Sequence, residues 1–156
     1  MTSPTASVVQ VAQWFDAFRQ RCYVRGILGK KNDRAADGRP YNMRKWTKWY
    51  VELHGPVLVF WNLLDANLAP SLDAISAMAD GKLLPGSPLF EDTVTTIKQV
   101  VSKPNFINIT DASCSVIGSQ KKRSGVWELL SSGANRFFMQ ASDDRAMNDW
   151  VLGIRL

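Results

Sequence analysis

Histidine and cysteine are nearly missing from this 156-residue chain: His54 is the single histidine, and Cys22 and Cys114 stand far apart with no C-x-x-C spacing. That scarcity leaves no zinc ligand set, no disulfide framework and no base for a serine or cysteine nucleophile. His54 itself precedes Gly55-Pro56 and reads as a turn residue. Long hydrophobic runs are absent too. The longest, such as Val57 to Trp61, fall far short of the roughly 20 residues a membrane-crossing helix needs. No basic-then-apolar leader opens the chain, so a soluble protein in a reducing, cytoplasmic setting is expected. Neither G-x-x-x-x-G-K-[ST] nor G-x-G-x-x-G occurs, which removes the common phosphate-cradling loops of nucleotide enzymes. Glu91-Asp92 and Asp143-Asp144 suit helix starts better than an acid/base pair. The expectation is a protein without catalytic activity, cofactor or metal. Asn108-Ile109-Thr110 has the form of a glycosylation site but lies in a strand-like stretch, and it is read as plain strand.

What the chain does contain is an ordinary globular mixture, 46% hydrophobic and 21% charged. At this length one domain buries enough surface for its own core. The net charge of +5 is unevenly spread. Between Arg19 and Lys48 ten basic residues face two acids, a local excess of +8, while the rest of the chain is slightly acidic. Such asymmetry points to an anionic partner, whether a phosphoinositide headgroup, an acidic membrane, a nucleic acid or an acidic protein.

Along the chain, Val8, Val11, Phe15, Phe18 and Cys22 recur at helical steps and mark residues 1–22 as an amphipathic helical extension. It suits either the domain's own core or a partner surface. Two-fold alternation then takes over. Tyr23 to Lys30 reads as a strand, and Lys31 to Asn42, with Asp37, Gly38 and Pro40, as a loop. Arg44 to Leu53 and Val57 to Trp61 form a hairpin about His54-Gly55-Pro56, with Trp46, Lys48 and Tyr50 on one side of the strand and Thr47, Trp49 and Val51 on the other. Residues 65–103 break the pattern and are read as an insertion, with helices at Ser71 to Ala79 and Glu91 to Val101. Strands resume at Phe106 to Ile109, Cys114 to Ile117, Val126 to Leu130 and Arg136 to Ala141. Ser142 then caps a closing helix whose Met147, Trp150, Val151 and Ile154 share one face.

Three stretches carry a family likeness: Arg25-Gly26-Ile27-Leu28-Gly29-Lys30, then Lys45-Trp46-Thr47-Lys48-Trp49-Tyr50-Val51-Glu52-Leu53, then Gly125-Val126-Trp127-Glu128-Leu129 with Arg136 to Ala141 and the closing Trp150 and Ile154. In this order they resemble the pleckstrin homology (PH) domain over residues 23–156. The resemblance implies a mainly β fold, a bent seven-stranded antiparallel sandwich or partial barrel capped by a C-terminal helix, here with an extra N-terminal helix and a long insertion between strands three and four. Trp150 would be a core plug. Lys30 and Lys48 match the headgroup-binding lysines of phosphoinositide-binding members, with Lys31, Arg44 and Lys45 adding positive field. The family's middle basic position is Trp46 here.

The stretch from Arg44 to Gly55, with Asn105-Phe106-Ile107-Asn108-Ile109 after the insertion, also resembles a fungal subgroup of PH-containing scaffold proteins of the bud neck, some linked to the deadenylase complex. That likeness implies a domain cut from something longer, peripheral at the inner membrane surface. The expected function is recruitment of a larger scaffold to anionic or phosphoinositide membranes. The alternative is a protein-protein interaction scaffold on the same fold with little specific lipid binding. Nucleic acid ranks below both, since no RNP-like or OB-like pattern accompanies the aromatics.

Overall fold

Aromatic and β-branched residues in alternation build the sheet, and two breaks in that alternation, one between the third and fourth strands and one after the seventh, hold the three helices. A computed structural model describes residues 22–34, 45–117, 124–131 and 135–155. The expected N-terminal helix lies outside these residues, apart from Cys22, which begins a strand rather than ending a helix. The strands are β1 (Cys22–Arg34), β2 (Thr47–His54), β3 (Val57–Asn62), β4 (Asn105–Asn108), β5 (Ser113–Val116), β6 (Val126–Leu130) and β7 (Arg136–Gln140). The helices are α1 (Leu72–Ala79), entered through a 3₁₀ turn at Ala66–Ser71, α2 (Pro88–Val100) and α3 (Asp144–Arg155).

All seven strands join one antiparallel sheet in the order β4-β3-β2-β1-β7-β6-β5. β2 and β3 meet through the two-residue turn Gly55-Pro56, with His54 opposite Val57. Gly55 takes a φ of 55°, the left-handed backbone that tight hairpins need. β1 is longer than its sequence suggests. Asn32 and Arg34 fall in the stretch read as loop, yet Lys31 pairs with Phe138, Asn32 with Phe137 and Arg34 with Arg136. Pairing with β7 overrides the local turn formers, and the register slips between Asn32 and Arg34 to accommodate them.

The sheet is buried on two faces. The inner face gathers Leu28, Val51, Leu53, Phe60, Trp127, Leu129 and Met139 around Met147, Trp150 and Val151 of α3. Trp150 is 4% exposed, and α3 closes the end of the barrel where Gly153 packs against Leu53 and Val24. The outer face of β1 to β3 carries Ile27, Tyr50, Val59 and Trp61, which join Leu68, Ile75, Met78, Phe90, Val94 and Ile97 in a second core. The insertion is therefore a folded layer.

Two ion pairs fasten α2 to the sheet. Near its N-terminus Arg25 donates to both oxygens of Glu91, at 2.8 and 2.7 Å, and stacks over Phe90. Near its C-terminus Lys98 reaches Glu52 at 2.9 Å and lies over Trp61. Threonines 93, 95 and 96, awkward in a helix interior, bond back to the carbonyls of Leu89, Glu91 and Asp92. At α3 the cap is Asp143 rather than Ser142: its Oδ1 accepts from Ala146 N at 2.8 Å. Asp144 Oδ1 accepts from Gly125 N at 2.8 Å and ties the start of β6 to the helix.

A basic mouth at the open end of the sheet

The end of the barrel away from α3 collects the C-termini of β1, β3 and β6 and the N-termini of β2, β4 and β7, because every neighbouring pair is antiparallel. Lys30 sits in this mouth, opposite Thr47 on one side and Met139 on the other. Strand pleating gives it the inward direction of Leu28. Its Nζ lies 4.7 Å from the centroid of the Phe137 ring, 5.4 Å from Trp49 and 5.5 Å from Phe60. The cage is braced. Trp49 Nε1 donates to Thr47 Oγ1 at 2.8 Å, Thr47 Oγ1 donates to the Lys30 carbonyl at 3.3 Å, and Trp49 meets Phe60 edge to face. Among the described residues no carboxylate pairs with Lys30, and burial pushes its amine down to about 8. Two residues on, in the same strand and with the same pleat direction, Asn32 holds a buried Oδ1 that has no hydrogen-bond donor.

Of the other sequence-nominated residues, the described ones, Lys31, Lys45 and Lys48, are not part of this cage. Lys48 is exposed and shares the outer direction of Tyr50, so the sheet separates it from Lys30. It lines a cleft of about 290 Å³ together with Trp46, Asp80 and Gln140. Trp46, the departure from the basic pattern, packs on the backbone: a Cβ at Gly29 would stand 3.3 Å from its ring. Lys31 is half-buried and Lys45 exposed. Arg44 lies outside the described residues.

Sequence reasoning missed a buried polar cluster on the outer face. Glu52, 4% exposed, accepts from Tyr50 Oη at 2.6 Å and from Lys98 Nζ at 2.9 Å, and His54 Nε2 lies 2.7 Å from its Oε1. Burial alone would raise this carboxyl, but the hydrogen bonds from Tyr50, His54 and Lys98 hold it below its usual value. The alternation of Tyr50, Glu52 and His54 on one strand face was the available signal. The partner lysine, 46 residues further on, left none. Among the described residues no cluster of three or more His, Cys, Asp or Glu side chains could hold a metal, and no helix is long and apolar enough to cross a membrane.

This arrangement has known counterparts. Among solved structures, the PH domain of ArhGAP27 superposes with a TM-score of 0.54 at 18% identity, over 85% of this chain and 94% of that one. The C-terminal PH domain of human pleckstrin gives 0.52 at 12% identity, over 99% of this chain and 89% of that one. The chain has the pleckstrin homology fold. A C-terminal PH domain of pleckstrin in complex with D-myo-Ins(1,2,3,5,6)P5 gives 0.51 at 12% identity, over 86% of this chain and 93% of that one. No family model matches the sequence. Among curated proteins, the CCR4-NOT transcriptional complex subunit CAF120 of Saccharomyces cerevisiae is 26% identical over 157 residues, which covers 96% of this chain. The chain spans 13% of that relative's length. Beside the mouth that holds Lys30, β3 runs on into the folded insertion that leads to β4.

Proposed function

We propose that this PH module is a non-catalytic adaptor that brings a larger scaffold protein to an anionic lipid surface, with a phosphorylated headgroup received at the mouth by Lys30. The observation that carries this reading is the state of that amine: partly buried, caged by three rings and, among the described residues, without a carboxylate. An arriving phosphate supplies the missing counter-charge through short, charge-assisted hydrogen bonds. Lys31, Arg44, Lys45 and Lys48 add general attraction, about 1 kcal/mol for each basic residue near an anionic bilayer. Because Lys48 is on the outer side of the sheet, its share in this scheme is field rather than a direct contact in Lys30's pocket.

The test is co-sedimentation with vesicles of equal total charge, one set carrying phosphatidylinositol bisphosphate and the other phosphatidylserine. Lys30→Ala should lose the preference for the first set, and Lys48→Ala should weaken both alike. Unchanged preference in Lys30→Ala refutes the site.

A second reading, a protein-interaction scaffold, is favoured by a cleft of about 400 Å³ between β1, the α1–α2 connection and α3, lined by Val24, Leu83, Leu84, Phe90 and Trp150. The likeness to a CCR4-NOT subunit supports placing the module within a scaffold of such a complex at the fungal cortex or bud neck. A partner retained at high salt by the Lys30→Ala/Lys48→Ala double variant would favour this reading over the first.

A further inference from the structure

Directly after β3, at the mouth end of the sheet, two leucines point in opposite senses. Leu63 is 8% exposed and joins the outer core, whereas Leu64 is 70% exposed. No other large apolar side chain among the described residues is more open to solvent. The turn that presents it is firmly held. Leu63 N donates to the Lys48 carbonyl at 3.4 Å, Leu64 N donates to Asn62 Oδ1 at 2.9 Å, and Asp65 Oδ1 accepts from Asn67 N at 2.9 Å to start the 3₁₀ turn. Leu68, fully buried, nails that turn to the outer core. Between these anchors Leu64, Asp65, Ala66 and Asn67 are exposed, and beyond Leu68 so are Ala69, Pro70 and Leu72. A leucine on a fixed turn cannot fold back to hide itself, so its exposure is a standing cost in water.

The surroundings identify what would cover it. Lys48, whose carbonyl receives Leu63, is exposed, and Lys45 stands exposed just ahead of β2. An apolar tip flanked by cations at the end of a rigid element fits a bilayer surface, where the tip reaches the acyl boundary and the cations stay at phosphate depth. Asp65 beside the tip is engaged with the backbone of Asn67.

We infer that Leu64 is a membrane-inserting prong, entering the interfacial zone of an anionic bilayer while Lys45 and Lys48 rest against its phosphates. This rests on the membrane reading above and adds a hydrophobic contact that does not pass through Lys30.

The experiment uses the whole chain with phosphatidylcholine vesicles, with and without phosphatidylserine, and compares wild type, Leu64→Asp, Leu64→Gln and Leu64→Trp. Because Leu64 is exposed, the variants should melt as wild type does; if Leu64→Asp does not fold, Leu64→Gln carries the affinity comparison. Leu64→Asp should bind serine-containing vesicles about tenfold more weakly or worse, as expected for losing one buried leucine side chain. The tryptophan in Leu64→Trp should shift its emission to the blue on binding and be quenched by lipids brominated near the headgroup end of the acyl chain. A wild type that ignores anionic vesicles overturns the membrane reading and the prong with it. A wild type that binds, with both polar variants binding equally and the Leu64→Trp emission unmoved, overturns the prong alone.

Discussion

Replacing Lys30 with methionine should make the protein more stable while removing the proposed headgroup contact. The amine falls from an ordinary 10.5 to about 8 through burial, and at 1.36 kcal/mol per pH unit that is a penalty of up to about 3 kcal/mol on the charged form. The faces of Trp49, Phe60 and Phe137 return about 1 kcal/mol of it, and solvent at the mouth screens some of the remainder, leaving a net of about 1–2 kcal/mol. Methionine keeps the length and the packing without the charge. The sign against pH follows from the proton count. Below pH 8 both states hold the proton and the full penalty applies; between 8 and 10.5 the folded state has released it while the unfolded chain still binds it, so stability rises with pH. Urea unfolding of wild type and Lys30→Met at pH 7, 8, 9 and 10 reads this directly. The variant should start about 1–2 kcal/mol higher at pH 7, and the gap should close as wild type climbs. A variant less stable than wild type at pH 7, or a gap constant over that range, would refute the account of a desolvated, uncompensated amine.

Lys98→Ala should cost about 1–2 kcal/mol by leaving the buried Glu52 carboxylate with Tyr50 and His54 alone, a figure discounted because the lysine is half exposed. Since the Glu52 carboxyl is depressed below 4.5, its contribution should be present at neutral pH and fade as acid titration passes down through that lower value, and Glu52→Gln should flatten this limb of the stability curve. Gly125→Ala should destabilise by about 1–3 kcal/mol in a thermal or urea melt, because the residue sits at a φ of 71° and a Cβ would stand 2.9 Å from the Ala141 carbonyl. Cys114, buried and raised from 9.0 to about 11, should be alkylated roughly a hundredfold more slowly than a free thiol until the protein unfolds, measured in a Cys22→Ser background.

The strands were readable wherever burial is one-sided or the turn chemistry is local. β6 (Val126–Leu130) lies where its apolar run put it, and the closing helix follows the spacing of Met147, Trp150 and Val151. Reading failed where the decisive partner is distant. The end of β1 depends on Phe137 and Phe138 across the sheet, about a hundred residues away, and no local pattern announces that. The insertion looked like a break because its helices bury one face each against strands that already had an inner core; Tyr50–Leu53 and Leu58–Trp61, buried throughout, were the trace of that second layer. The basic residues were found as a group, but alternation also says that Lys30 and Lys48 diverge: Lys48 shares its face with Tyr50, while Lys30 follows Leu28.

That two-sided burial bears on how the mouth would work. β1 is hydrogen-bonded to β2 and β7 on its edges and packed by α1 and α3 on its faces, so the backbone at Lys30 has little freedom to relieve the strain on its amine. A lysine on a loose loop would turn to water and lose side-chain entropy only when a ligand arrives. Held among three rings, Lys30 has already lost that freedom, and an incoming phosphate both supplies its counter-charge and raises its affinity for the proton. Anion affinity at the mouth should therefore be coupled to proton uptake above pH 8, the same linkage that lowers the stability of the free protein at neutral pH. Leu64, exposed at the rim, is uncharged and takes no part in that coupling. A component of the proposed anion binding that changes between pH 8 and 10 would belong to Lys30.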